Sequence, residues 1–188
     1  MATRIAKRLT TEELEAGLVE VLRAPVAVGV VELIVRRPTV GGREVLAEAA
    51  LDVVEGLVGD TWRVRGSKRT ADGSAHPDMQ LTLMSARVVD LLAARERERW
   101  ALAGDQLYVE LDLSESNLPP GTRLAVGSAV LEVTGEPHTG CAKFSARFGA
   151  DACRFVNTRM HRHLRLRGLN AKVVESGAVA SGDAIRKL

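Results

Sequence analysis

Leu124-Ala125-Val126-Gly127-Ser128-Ala129-Val130-Leu131-Glu132-Val133 carries the clearest β signal in the chain. Two apolar runs flank Gly127-Ser128, where a glycine supplies the backbone freedom of a tight turn or a bulge, so the stretch predicts two paired strands. Upstream, Leu107, Val109 and Leu111 alternate with other residues before the turn Pro119-Pro120-Gly121. Residues 26–35 are mostly β-branched, and Arg36-Arg37-Pro38 with Gly41-Gly42 supplies turn chemistry before another alternating run over 44–54. Alternation returns from Leu166 through Ala171-Lys172-Val173-Val174 to Ala184-Ile185, with Gly168, Gly177 and Gly182 as punctuation. Many short strands imply a mainly β (α+β) fold, a barrel-like body closed so that its edges are not left open. The irregular order of strands and helices disfavours a doubly wound α/β sheet.

Helices flank this body. Thr10-Thr11-Glu12-Glu13 reads as a capping box, and Leu14, Leu18, Val21 and Leu22 then form one apolar stripe that ends before Pro25. Met84, Val88, Leu91 and Leu92 restore helical spacing after a cap at Thr82 or Ser85, predicting a helix that runs to near Trp100. Phe144 and Phe148 lie one turn apart before Gly149, and Asp151 is read as the cap of a second short helix. Residues 66–77 are polar and aperiodic, an exposed loop. The expected organisation is an N-terminal helical extension over 1–25 and a barrel domain over 26–188.

With 188 residues, 46% apolar and 27% charged, the composition is that of an ordinary folded domain. Lys and Arg number 26 against 24 Asp and Glu, a net charge of +2, so nucleic acid is not an expected partner and any electrostatic argument must be local. No stretch approaches the roughly 20 apolar residues of a membrane span, and the start, Met1 to Arg8, leads to no apolar signal core. A cytoplasmic protein, away from membranes and with reduced thiols at Cys141 and Cys153, is expected. No P-loop, dinucleotide-binding fingerprint, nucleophile elbow or zincin motif occurs, so no flavin, NAD or pyridoxal phosphate is assigned.

Between Gly121 and Arg186 the chain carries Pro137-His138-Thr139-Gly140-Cys141-Ala142-Lys143-Phe144, then Arg167-Gly168-Leu169-Asn170-Ala171 and Gly182-Asp183-Ala184-Ile185. Together with the Gly127-Ser128 strand pair, Gly56-Leu57-Val58-Gly59-Asp60 and Leu118-Pro119-Pro120-Gly121-Thr122, these runs resemble the MOSC domain family, related to the C-terminal domain of molybdenum-cofactor sulfurases. The likeness extends over most of the chain after about Val28. Two runs depart from the family pattern. Glu136-Pro137, separated from Cys141 by three residues, stands in place of a basic-Pro-Cys run, and Ser114-Glu115-Ser116-Asn117-Leu118 replaces Gly-Glu-Asn-Leu. The resemblance implies a stand-alone MOSC-like β-barrel in which Cys141 carries sulfur or meets the molybdenum cofactor (molybdopterin). It further implies work as a sulfur transferase or reductase component, beside a sulfur donor such as a cysteine desulfurase or an electron-transfer partner. His76 answers only distantly to a His-Gly-Gly motif of the family and takes no catalytic role.

Read for their own chemistry, the residues around Cys141 agree with a reactive thiol. Cys141 follows Gly140 at the expected start of a helix, where free amides favour the thiolate. Lys143 and His138 add positive charge or accept a proton. The alternative is a small apolar side chain buried in the core, which is also the default for Cys153. Pairing of the two thiols stays open, because sequence does not give their separation. His138 and Cys141 with His161 and His163 lack zinc-site spacing, so no metal is assigned. Arg162, Arg165 and Arg167 sit in the basic stretch 159–167, read as a strand holding guanidinium groups on one face, and are the candidate anchor for a cofactor phosphate. The rival functional reading is a non-catalytic β-barrel that docks an anionic ligand or a protein.

Overall fold

The computed structural model describes residues 6–188. The first residues of the expected 1–25 extension, and most of the Met1 to Arg8 start, lie outside the described residues. In chain order come α1 (Thr11–Val21), β1 (Val28–Arg36), β2 (Glu44–Leu46), β3 (Glu48–Asp52), β4 (Gly56–Leu57), α2 (Trp62–Arg65), β5 (Leu81–Ser85) and α3 (Ala86–Leu92). There follow β6 (Leu107–Glu110), β7 (Arg123–Val126), β8 (Ala129–Val133), α4 (Ala142–Phe148), α5 (Ala150–Asn157), β9 (Leu169–Glu175), β10 (Gly177–Ala180) and β11 (Ala184–Lys187).

Seven strands close into a barrel in the order β1, β11, β7, β8, β9, β5, β6 and back to β1. Only the β5–β6 pair is parallel. Strand β2 pairs with β1 outside the ring, and β10, β3 and β4 form a small second sheet. The fold is therefore the expected mainly β barrel with a few short helices. Its seed is the β7–β8 hairpin, where Val126 pairs with Ala129 and Gly127 takes a φ of 56°, a conformation a two-residue turn requires.

Strands β1, β5 and β6 divide their side chains between two apolar cores, while β7, β8, β9 and β11 contribute to the barrel interior alone. Leu81, Leu83, Leu107, Val109, Leu124, Val126, Leu131 and Val133 fill the barrel. Met84 and Tyr108 face outward, where Trp100, Phe144, Phe148, Phe155 and the buried face of α1 cover them. Helix α1 starts with the expected capping box: Thr10 accepts from the Glu13 amide, and Glu13 accepts from the Thr10 amide at 2.9 Å. It packs on α3 and α5. Among the described residues no helix is long and apolar enough to cross a membrane.

Three local expectations are corrected. Strand β5 is buried at all five positions, so it shows no alternation, and Met84 belongs to it rather than to a helix. The helix begins after Ser85 and ends at Leu92, because Ala94 and Arg95 take positive φ and residues 97–103 wind as a 3-10 turn. At α5 the N-cap is Gly149, with Asp151 inside the first turn. The basic stretch 159–167 is no strand: 162–164 is a 3-10 turn, and Arg165 at φ 48° turns the chain before β9.

Candidate functional site

Beyond the end of β8 the chain reaches His138, Thr139 and Cys141, which line a cavity of about 610 Å³. The opposite wall comes from the β1–β2 turn, α2 and the loop after it, and the floor from Ala103, Gly104, Arg167 and Asn170. Arg37, Arg43, Arg65, Lys143, Arg147 and Arg167 line it, with His76 and His138, and no Asp or Glu is among the lining residues.

The carboxylates that balance part of this charge lie one layer behind. Asp60 is buried and accepts from Arg37 Nε at 2.8 Å and Nη2 at 2.7 Å, a two-point pairing. It also accepts from the amides of Arg37 and Trp62, which ties the β1–β2 turn to the start of α2. Asp105 is fully buried and accepts from Arg167 Nη1 at 2.6 Å. His138 Nε2 lies 2.8 Å from its other oxygen. Burial works against the Asp105 carboxylate, yet the Arg167 charge and His138 outweigh it and hold the group below the usual carboxylate range. Burial, reinforced by Arg167, pushes His138 below an ordinary imidazole despite Asp105. His138 is therefore neutral at pH 7 and donates Nε2–H to Asp105, leaving Nδ1 as an acceptor.

Among the described residues Arg43 and Arg65 make no ion pair of this kind, although Asp105 acts on Arg43 and Asp60 on Arg65 in the opposite sense to their burial. Burial and the neighbouring Arg147 and Arg37 push the Arg43 guanidinium down from its ordinary value, and its Nε is buried without a hydrogen-bond partner. Arg65 is shifted the same way by desolvation and by Arg37. Both stay charged at neutral pH; desolvation is the larger cause of each shift, and like charge from neighbouring arginines adds to it.

Cys141 is the N-cap residue of α4, exposed on the lip of this cavity. Burial raises its pKa, but the amides of Phe144 and Lys143 and the Arg167 charge lower it further, so the thiol is more acidic than an ordinary cysteine. No capping hydrogen bond closes onto the sulfur; these groups act on it as nearby dipoles and charge.

The structure brings Cys141, Lys143, His138 and Arg167 onto one cavity. Arg167 is buried there, bonded to Asp105 and to Ala103 O at 3.0 Å, with its guanidinium 4.9 Å from the centre of the Phe144 ring. Arg162 and Arg165 do not join it. They line a neighbouring cavity of about 440 Å³ with Arg159, and His138, Thr139 and Arg167 are shared between the two cavities. Arg162, Arg165 and Arg167 line that second cavity together although no strand holds them: the turn at Arg165 carries the chain on to β9, and Arg165 donates to Leu118 O at 2.6 Å. His161 bonds to Glu15, away from His138. His76, to which no role was given, lines the Cys141 cavity and lies 3.9 Å from Glu136. Arg37, Arg43 and Arg65 carry no sequence signal for this site, since they stand far along the chain from Cys141; Arg147 lies only six residues on, in the last turn of the helix that Cys141 caps.

A family model described as MOSC domain matches residues 70–186. The matched part holds Asp105, His138, Cys141 and Arg167, whereas Arg37, Arg43, Asp60 and Arg65 precede it. Among solved structures, the YuaD protein from Bacillus subtilis superposes with a TM-score of 0.59 at 20% identity, covering 84% of this chain and 94% of that one. YiiM from Escherichia coli superposes with a TM-score of 0.53 at 19% identity, covering 85% and 69%. YiiM from Geobacillus stearothermophilus gives 0.52 at 12% identity, covering 88% and 74%. These identities speak to the fold alone. No curated protein matches the chain.

Proposed function

The chain belongs to the MOSC domain family, and we propose that it handles sulfur through the Cys141 thiolate, within a cavity built to receive an anionic ligand. The observation that carries this reading is the placement of an exposed, acidified thiol on a cavity lined by six Lys and Arg side chains and no carboxylate. A thiolate, a persulfide and a phosphate are all anions that such a field stabilises. The rival reading, in which Cys141 only packs, has its exposure against it.

The family resemblance implies the molybdenum cofactor, a pterin that bears phosphate and many hydrogen-bonding edges. The residues present fit it. Arg43, Arg147 and Lys143 would hold the phosphate, and the unpartnered Arg43 Nε and Asn170 Oδ1 offer a donor and an acceptor. When bound, the cofactor supplies a redox-active, sulfur-seeking metal. The protein's own part is to orient that ligand and keep Cys141 deprotonated. His138 Nδ1 is the group available to take up a proton from an incoming thiol.

In the loading step, the Cys141 thiolate attacks the outer sulfur of a sulfane-sulfur donor such as thiosulfate. A new S–S bond forms, the donor's S–S bond breaks, and sulfite leaves with the electron pair. The test is brief exposure to thiosulfate or an organic trisulfide, a thiol-blocking quench and intact-protein mass spectrometry. One added sulfur is expected in the native chain and in Cys153→Ser, and none in Cys141→Ser. No added sulfur in any form, or an adduct that survives in Cys141→Ser, overturns the reading.

A further inference from the structure

Cys153 lies on α5 and faces the residues that lead into Cys141. Its Sγ is 3.9 Å from the carbonyl oxygen of Cys141. Asn157, one turn further along α5, clamps the same place. Its Oδ1 accepts from the Gly140 amide at 2.8 Å, and its Nδ2 donates to Gly140 O at 3.0 Å while standing 3.5 Å from Cys153 Sγ. The approach is close: a Cβ at 140 would sit 3.1 Å from Val156 Cγ2 and 3.3 Å from Cys153 Sγ. Carbonyl oxygen and α-carbon of one residue are about 2.4 Å apart, which puts Cys153 Sγ within about 6 Å of Cys141 Cα. Bonding of the two sulfurs then requires rotation about the side-chain bonds and a movement of the exposed Cys141 toward α5. Both thiols are free in this structure.

We propose that Cys153 is the resolving thiol of the Cys141 site, releasing bound sulfur as sulfide by closing a Cys141–Cys153 disulfide; this rests on the sulfur-handling reading of Cys141. Cys153, as thiolate, attacks Cys141 Sγ of the persulfide. The Cys141–Cys153 S–S bond forms, the bond to the outer sulfur breaks, and hydrosulfide leaves with the electron pair. The two protein thiols are oxidised by two electrons and the sulfane sulfur is reduced by two. A dithiol reductant resets the pair by thiol–disulfide exchange. The disulfide also draws the Cys141 sulfur off the cavity lip toward α5, so an unreduced chain cannot reload.

The test loads the reduced full-length protein with thiosulfate, removes the donor, and follows intact mass, peptide-mapped disulfide and free sulfide over time. The native chain is expected to lose the added sulfur, release one equivalent of sulfide and show the Cys141–Cys153 peptide. Cys153→Ser and Cys153→Ala are expected to retain the persulfide. A native chain that keeps its persulfide as long as these variants, with no disulfide peptide, overturns the proposal and leaves the sulfur-handling reading standing. A parallel arm treats the donor-free protein with a stoichiometric hydroperoxide, which oxidises Cys141 to a sulfenic acid that Cys153 condenses with, losing water. A disulfide there without any sulfur loading supports the pairing and removes the sulfur-handling reading instead.

Discussion

Replacing Asp105 by Asn probes the charge arrangement beneath the cavity. Asp105 is fully buried, and its carboxylate is the partner of Arg167, itself only 6% exposed. Breaking a buried ion pair by removing one partner costs about 3–5 kcal/mol. The amide retains one acceptor, and a hydrogen bond contributes about 1 kcal/mol, so the net loss is about 2–4 kcal/mol. For a chain of this size each kcal/mol lowers Tm by about 2–4 °C, which gives a fall of about 4–16 °C. The pH dependence follows from the signs. The depressed Asp105 contributes stability above its unfolded pKa and loses it as pH falls toward the folded value. The wild-type advantage over Asp105→Asn should therefore shrink below about pH 4. His138 is depressed too, so the unfolded chain binds its proton first and stability already declines as pH falls below about 6.5. With Asp105 neutral, the Arg167 charge is no longer offset and the Cys141 thiol becomes still more acidic. Thermal and denaturant unfolding followed by circular dichroism, with alkylation rates at several pH values, measure both effects. A Tm within about 2 °C of wild type, or a Cys141 titration that does not move, would refute this account of the Asp105–Arg167–His138 group.

Alkylation of native protein by iodoacetamide should follow Cys141 with an inflection below that of an ordinary cysteine, and Arg167→Gln should move the inflection upward. Calorimetric titration with inorganic pyrophosphate should show binding that weakens about tenfold in Arg43→Gln/Arg147→Gln, a change of about 1.4 kcal/mol. Added salt should weaken the wild-type binding as well. Arg162→Ala, whose side chain lines the neighbouring cavity, should leave this titration unchanged if the Cys141 cavity is the binding site. Gly140→Ala should destabilise the protein by about 1–3 kcal/mol through overpacking against Val156 and Cys153. Denaturant midpoints would measure that loss, and an unchanged midpoint would mean that the 140–141 segment adjusts freely.

Turn chemistry and alternation made the β7–β8 hairpin, the capping box of α1 and the paired short helices around Cys141 legible, because each depends on residues within a few positions of one another. The same local reasoning put Cys141 at the start of a helix beside Lys143. It failed at β5, where burial of both faces erased the period of two. It failed again at 159–167, where alternating Leu and Arg suggested a strand and a single residue at positive φ turned the chain.

The sequence by itself determined the fold class, the family and the one cysteine at a helix start, since patterning, turn residues and motif runs are written along the chain. Only the tertiary structure decided which charges surround that cysteine. Arg37, Arg43, Arg65 and Arg147 line its cavity from three separate elements, while Arg162 and Arg165 line the neighbouring cavity and Arg167 lines both. The pairing of Asp105 with Arg167 and His138, and the approach of Cys153 to Cys141, likewise arise from barrel closure and from α5 packing back on α4. Electrostatic and hydrogen-bond contacts act over a few ångströms of space, and in this barrel those ångströms join residues as far apart in the chain as Ala27 and Lys187.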